Sequence, residues 1–153
     1  MEGFEDAIQS YENMEVTQIL ECESDRLKLR NLVPELLSEN PQINALYCTE
    51  EVASQMVGEI LENIGQSEKE CKVVCFGLAD EIWKYLSQGR YYSALIQEEY
   101  DQGYLAVEFL KEYINGRRDV DVINTGITSA KKDFDYDSWK LSKKEGEVVW
   151  AIS

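Results

Sequence analysis

The side chains able to do chemistry in this chain are acids, cysteines and aromatics, because it contains no histidine. Without imidazole there is no Ser–His or Cys–His pair to activate a nucleophile and no imidazole-ligated metal site. The acids of interest are two adjacent pairs, Glu50-Glu51 and Glu98-Glu99. Paired carboxylates can move protons or hold Mg²⁺. With 30 Asp plus Glu among 153 residues, however, composition alone puts acids at such places, and helix N-termini favour them through the macrodipole. Neither pair is assigned catalysis or a metal, no cofactor is expected, and the chain reads as a non-enzyme.

The remaining chemistry narrows quickly. Cys22, Cys48, Cys71 and Cys75 are too few and scattered for a disulfide-stapled fold, and Cys71-x-x-x-Cys75 lacks zinc-knuckle spacing. They are expected to be reduced, semi-buried small hydrophobes. A nucleotide site needs a glycine-rich turn whose backbone N–H groups reach phosphate. Phe76-Gly77-Leu78-Ala79-Asp80 has a single glycine, and no Gly-x-x-x-x-Gly-Lys occurs. A net charge of 15 − 30 = −15 repels a phosphate backbone, so no direct nucleic-acid partner is expected. A phospho-accepting receiver fails on residues, since INALYCTEE offers glutamates and no Asp, and SALIQEE has no Lys. Tyr91, Tyr92, Tyr100, Tyr104, Tyr113, Trp83 and Trp139 could stack on sugars or bases. Yet Tyr100, Tyr104 and Trp83 fit core spacing, and no aromatic falls clearly in a strand-end loop.

Positioning any site are alternating helices and strands. Phe4, Ala7, Ile8 and Tyr11 follow the helical period, and MEVTQILEC reads as a short strand. Ser24-Asp25 can cap a helix whose stripe is Leu29, Leu32, Val33, Leu36 and Leu37, with Pro34 expected to kink or divide it. INALYC reads as a strand, and Thr49 as the cap of a helix bearing Ala53, Met56, Val57, Ile60, Leu61 and Ile64. CKVVCF is a buried parallel strand, ADEIWKYLSQG a short helix, YYSALIQ a strand and DQGYLAVEFLKEYINGR a helix. DVDVINTGI is the last strand before a polar stretch, whose end, residues 147–152, has the composition of a buried strand. This α-β alternation implies an α/β fold, a three-layer, open, mostly parallel sheet. Such sheets bind ligands beyond the carboxyl ends of their strands, here at residues 22–25, 49–51, 77–80 and 97–99. No run reaches the roughly 18 apolar residues of a membrane span, and the acidic start is unlike a signal peptide, so this segment is not expected to insert.

Several ordered patterns resemble one family. Met1-Glu2-Gly3-Phe4-Glu5-Asp6-Ala7-Ile8 resembles a "Gly-Phe-x-x-Ala" helix start, and Asn40-Pro41-Gln42-Ile43-Asn44-Ala45-Leu46-Tyr47 an "Asn-Pro-x-Ile-x-Ala-Ile-Tyr" strand. Lys72-Val73-Val74-Cys75-Phe76-Gly77 stands where the family writes "Val-x-Val-Val-Gly-Phe-Asp". Leu86-x-x-Gly89-x-Tyr91-Tyr92-x-Ala94-x-Ile96-Gln97, then Asp101-x-Gly103-Tyr104-x-Ala106-Val107, is similar to the glutamine-bearing passage of the solute-binding branch. These are motifs of the C-terminal lobe of type I periplasmic binding proteins, which include sugar receptors of ABC transport and effector domains of lac-repressor-like regulators. The resemblance covers residues 1–130, leaving 131–153 as a polar tail with the terminal strand.

The resemblance implies a flavodoxin-like lobe of a receptor that closes on a small polar, sugar-like ligand for uptake or sensing, without chemistry. Its alternative is an effector-binding and dimerisation domain of a transcription regulator. By position, Gln97 matches a ligand-contacting glutamine, and Glu50 stands where an asparagine often meets the sugar. Gly77 replaces a sugar-binding aspartate and Ser24 an often aromatic position. The partners implied are the ligand and a first lobe that the chain begins after, in an exported or lipid-anchored parent. The regulator alternative implies a cytoplasmic home. The innermost strand of the lobe would also precede residue 1, and residues 147–152 are expected to fill its slot, within the chain or by exchange in a homodimer.

Overall fold

Among the described residues the elements are, in chain order, α1 (Glu2–Ile8), α2 (Arg26–Glu39), β1 (Ala45–Tyr47), α3 (Glu51–Asn63), β2 (Lys72–Phe76), α4 (Asp80–Ser87), β3 (Tyr91–Gln97), α5 (Glu99–Ile114), β4 (Ile127–Ala130) and α6 (Tyr136–Lys144). They come from a computed structural model that describes residues 2–67, 70–117 and 122–144. The strands form one open sheet in the order β1-β2-β3-β4. β1, β2 and β3 run parallel, and β4 is antiparallel to β3 with Ala94 opposite Ala130. The fold is therefore mixed α/β with a mostly parallel sheet.

Local chemistry explains the element ends. The Asp25 carboxylate accepts from the Leu27 and Lys28 amides and caps α2. α4 ends where Gly89 takes φ +77, which lets the Arg90 N–H reach back to the Tyr85 carbonyl. Pro34 does not divide α2, which runs unbroken from Arg26 to Glu39. An interior proline costs about 3 kcal/mol, whereas Leu29, Val33, Leu36 and Leu37 bury four apolar side chains at about 1.5–3 kcal/mol each. The stripe outweighs the proline.

The core lies between the sheet and helices α2, α3 and α4, with α3 packed on β2, α4 on β3 and α2 on α3. Val73, Cys75, Ile82, Leu86, Tyr91 and Ala94 are fully enclosed there. Four sequence readings differ from this structure. Residues 14–22 form no strand: their pattern is strand-like, but no described neighbour offers them a ladder. Of DVDVINTGI, residues 119–121 lie outside the described residues; 122–126 form no strand, because Asn124 and Gly126 make a turn closed by the Gly126 amide donating to the Asn124 side chain, and the last described strand is Ile127–Ala130. The cap position of α3 is Glu50 rather than Thr49, and it makes no side-chain cap bond. Tyr100 and Tyr104 are not core residues: they are 62% and 57% exposed, and α5 has no buried residue. A helical stripe shows that a helix can be covered; it does not supply the cover. The polar stretch expected after the last strand contains α6, and the strand read at 147–152 lies outside the described residues.

Candidate functional site

Each parallel strand passes into its helix within a few residues, so three strand ends open on the same side of the sheet. A cavity of about 460 Å³ lies there. Thr49, Glu50 and Glu51 line it from the end of β1; Phe76, Gly77, Leu78 and Ala79 from the end of β2; Ile96, Gln97 and Glu99 from the end of β3. Trp139 of α6 completes the lining. Three of the residues singled out in the sequence, Glu50, Gly77 and Gln97, thus share one cavity. The fourth, Ser24, does not line it but donates its hydroxyl proton to the Glu50 carboxylate.

A buried hydrogen-bonded core joins the ends of β1 and β2 to α3 and anchors β3 on the same helix. Ser54 of α3 donates to the Glu50 carbonyl at 2.7 Å and accepts from the Phe76 amide at 2.9 Å, tying the end of β2 to the start of α3. The Tyr91 hydroxyl of β3 inserts into the same helix: it donates to the Ser54 carbonyl at 2.6 Å and accepts from the Gly58 amide at 2.7 Å. Burial pushes the Tyr91 phenol well above its ordinary range, so it remains a donor. Ser54 thus ties the residues just after β1 to the end of β2, while Tyr91 fixes the amino end of β3 to the same helix.

The remaining groups are anchored more peripherally. Gln97 accepts at 3.2 Å from Gln102 of α5, and Glu98 accepts at 2.7 Å from the Thr128 hydroxyl of β4. Gly77 takes φ +83, a left-handed conformation that favours glycine. The Glu51 side chain lies directly over it, with Cγ 3.1 Å and Oε2 3.4 Å from where a Cβ on residue 77 would stand. Ser24 and Glu23 are also left-handed, at φ 57 and 52, an uncommon pair for non-glycine residues. Their turn is closed by the Asp25 amide donating to the Cys22 carbonyl.

Of the two aromatics in the lining, the sequence reading weighed Trp139 as a stacking candidate without placing it at a strand end, and it did not single out Phe76. α6 is fixed by Asp80 at the start of α4, which accepts from the Tyr136 hydroxyl at 2.5 Å and from the Lys140 ammonium. The Tyr136 ring stacks on Trp83 at 4.8 Å, and Trp139 stacks in turn on Tyr136 at 5.7 Å. The signal for this helix was present: Asp135 caps it by accepting from the Ser138 amide, and Tyr136 and Trp139 are three residues apart.

The thiols offer no chemistry at the site. All four cysteines are free and buried, and burial pushes Cys48 and Cys75 up to about 12, which keeps them protonated. Among the described residues, no group of three or more acids or thiols is arranged to hold a metal, and no helix is long and apolar enough to cross a membrane. What the cavity presents is three carboxylates, two aromatic rings, the Gln97 amide and the Thr49 hydroxyl.

The sequence pattern of the periplasmic binding protein domain matches residues 1–118. The chain belongs to that family. No curated protein matches it. Among solved structures it is similar to GanP, a glucose-galactose binding protein from Geobacillus stearothermophilus, at 27% identity and TM-score 0.80, covering 88% of this chain and 47% of GanP. It is also similar to an ABC transporter solute-binding protein from Agrobacterium vitis bound with α-D-tagatopyranose, at 20% identity and TM-score 0.81, covering 91% and 47%. A third is a solute-binding protein from Burkholderia graminis in complex with D-arabinose, at 22% identity and TM-score 0.78, covering 86% and 46%. The last two share the fold. These relatives are binding proteins, and this chain spans about half the length of each.

Proposed function

We propose that this chain forms one wall of a ligand cleft and recognises a small, polar, sugar-like molecule without transforming it, as part of an extracytoplasmic receptor for uptake or sensing. The supporting observation is the convergence of Glu50, Gly77 and Gln97 on one cavity beside Phe76 and Trp139. A second lobe of the same receptor faces this wall and closes over the ligand. Gln97 and Glu50 hydrogen-bond sugar hydroxyls, charge-assisted at the carboxylate. Ser24 orients Glu50, and Trp139 and Phe76 cover apolar sugar faces. Glu51 supplies an acceptor above Gly77.

One wall leaves a sugar half exposed, whereas tight sites bury about 70–90% of a ligand. The isolated chain is therefore expected to bind D-galactose, D-glucose or D-arabinose with a dissociation constant no tighter than about 1 mM, near −4 kcal/mol. The check is an NMR titration to high millimolar sugar, following the Trp139 indole, the Gln97 amide and the Gly77 backbone. Shifts confined to these groups, lost in Gln97→Ala and reduced in Glu51→Gln, are expected. Micromolar affinity by calorimetry contradicts the half-cleft reading, and shifts scattered away from the cavity, or absent for every sugar, contradict the site.

A further inference from the structure

We propose that Gln102 of α5 is a positioning residue for Gln97: it holds the Gln97 carbonyl oxygen and so turns the Gln97 amino group toward the cavity, where that group donates to an oxygen of the ligand. This rests on the reading of the cavity as a ligand site, and it adds what the end of β3 requires of the ligand.

Local structure puts Gln102 within reach. Gln97 ends β3 and Glu98 caps α5, whose first turn closes when the Gln102 amide donates to the Glu98 carbonyl at 3.0 Å. That turn carries the Gln102 side chain back to Gln97, where its Nε2 donates to Gln97 Oε1 at 3.2 Å. The other Nε2 proton goes to the Thr125 hydroxyl at 3.4 Å. Thr125 is held in the turn that the Gly126 amide closes on Asn124, just before β4, and Ile127 of β4 lies opposite Gln97. Gln102 is exposed and does not line the cavity, so it acts on a ligand through Gln97.

A glutamine amide has unlike ends, an oxygen that accepts and a nitrogen that donates twice. With Oε1 committed to Gln102, the half-buried Gln97 keeps two N–H donors, and its Nε2 makes no bond to the protein among the described residues. The surroundings favour this orientation. Glu50, Glu51 and Glu99 line the same cavity, and their carboxylates attract an N–H dipole and repel a carbonyl oxygen. Turning both amides round keeps two side-chain bonds, with Gln102 accepting from Gln97 and from Thr125, but it puts the Gln97 oxygen on the acid-lined side.

The wall therefore has a direction. Ligand hydroxyl protons go to the carboxylates at the ends of β1 and β2, and an oxygen lone pair goes to Gln97 at the end of β3. A ligand without an acceptor at that point leaves the donors unpaired, which costs binding once water is excluded.

The test compares the intact chain with Gln102→Lys and Gln102→Glu. A lysine side chain only donates and a glutamate only accepts. Lysine is thus expected to keep the Gln97 oxygen engaged, whereas glutamate captures the amino group and reverses the amide. NOEs from the Gln97 amino protons read the orientation without any ligand: the pattern of the intact chain is expected to persist in Gln102→Lys and to change in Gln102→Glu. NMR titration with D-galactose and D-arabinose should then show binding weakened about three- to tenfold in Gln102→Glu, the worth of one neutral hydrogen bond, and little changed in Gln102→Lys. A pattern that changes in Gln102→Lys and persists in Gln102→Glu overturns the proposal. So does an equal loss of binding in both variants with unchanged NOEs, as expected of a purely structural residue. If no sugar moves any cavity signal in the intact chain, the ligand reading fails, and the NOE comparison still decides whether Gln102 sets the amide.

Discussion

Gly58 should be intolerant of a single methyl group, although alanine is the better helix former. A Cβ at Gly58 would stand 2.3 Å from Tyr85 Cδ2 and 2.4 Å from Cε2, against about 3.5–4.0 Å for carbons in contact. The ring has little room to retreat. Tyr85 is 4% exposed, packs on Tyr91 at 5.4 Å between ring centroids, and donates through its hydroxyl to Glu62 at 3.1 Å. Overpacking of this kind costs about 1–3 kcal/mol. Here the overlap exceeds an ångström on several ring atoms, so the upper part of that range applies. Helix propensity returns about 1 kcal/mol, leaving Gly58→Ala destabilised by about 2 kcal/mol. Urea unfolding followed by far-UV circular dichroism would show the midpoint falling by about 1 M with little change in slope. In a Tyr85→Leu background the clash is gone, and the same substitution should be neutral or stabilising by up to about 1 kcal/mol. An unchanged or raised midpoint in the native background refutes the reasoning. An equal loss in both backgrounds moves the cause to the Gly58 amide and its bond to Tyr91.

Two further outcomes follow from the local chemistry. Asp25→Ala removes the acceptor for two amides at the start of α2 and should lower stability by about 1 kcal/mol, whereas Asp25→Ser should restore most of it; equal melts for all three proteins would contradict the cap. Stability should also fall in alkali. The folded Cys48 and Cys75 thiols are raised from 9.0 to about 12, so their contribution is complete below pH 9 and is lost as pH rises from there toward 12, because only the unfolded chain releases those protons. Each thiol adds a slope of up to about 1.4 kcal/mol per pH unit in that window, and the raised Tyr91 and Tyr136 phenols act in the same direction above pH 10. A urea midpoint that stays constant between pH 9 and 11 would contradict the burial.

The parts of the fold legible in the sequence were those whose partners lie close in the chain. YYSALIQ is β3 to the residue, since a continuous apolar run between Gly89 and an acidic pair leaves few other readings. The cap at Asp25 and the stop at Gly89 depend on bonds spanning a few residues, and they too were readable. Residues 14–22 failed because a strand exists only with a neighbour. The helix α5 was readable, but the core placement of Tyr100 and Tyr104 failed similarly: with Val107, Leu110 and Ile114 they keep the helical period, yet every one is exposed. For the cavity, the rule that open α/β sheets bind at strand ends indicated residues 49–51, 77–80 and 97–99, and the family resemblance singled out Glu50, Gly77 and Gln97 within them. Trp139 comes from a helix remote in sequence, and only the Asp80 contacts to Tyr136 and Lys140 bring it there.

The glycine at position 77 bears most directly on what the cleft can hold. The family resemblance implies an aspartate there, and its loss reads in the sequence as a missing acceptor. In the structure, the space above that backbone is occupied by the Glu51 carboxylate from the neighbouring strand end. An aspartate at position 77 would have to adopt φ +83 and bring its Cβ within 3.1 Å of Glu51 Cγ, so the two carboxylates compete for one place, with like-charge repulsion added. Glycine at 77 and glutamate at 51 therefore form a matched pair. The acceptor is displaced by one strand rather than absent, and it arrives on a longer side chain that also accepts from Gln55 at 3.1 Å. On the function proposed above, this longer, less rigid acceptor would meet the ligand from a different angle, and the cavity would favour a different arrangement of hydroxyls from one built around an aspartate at that strand end.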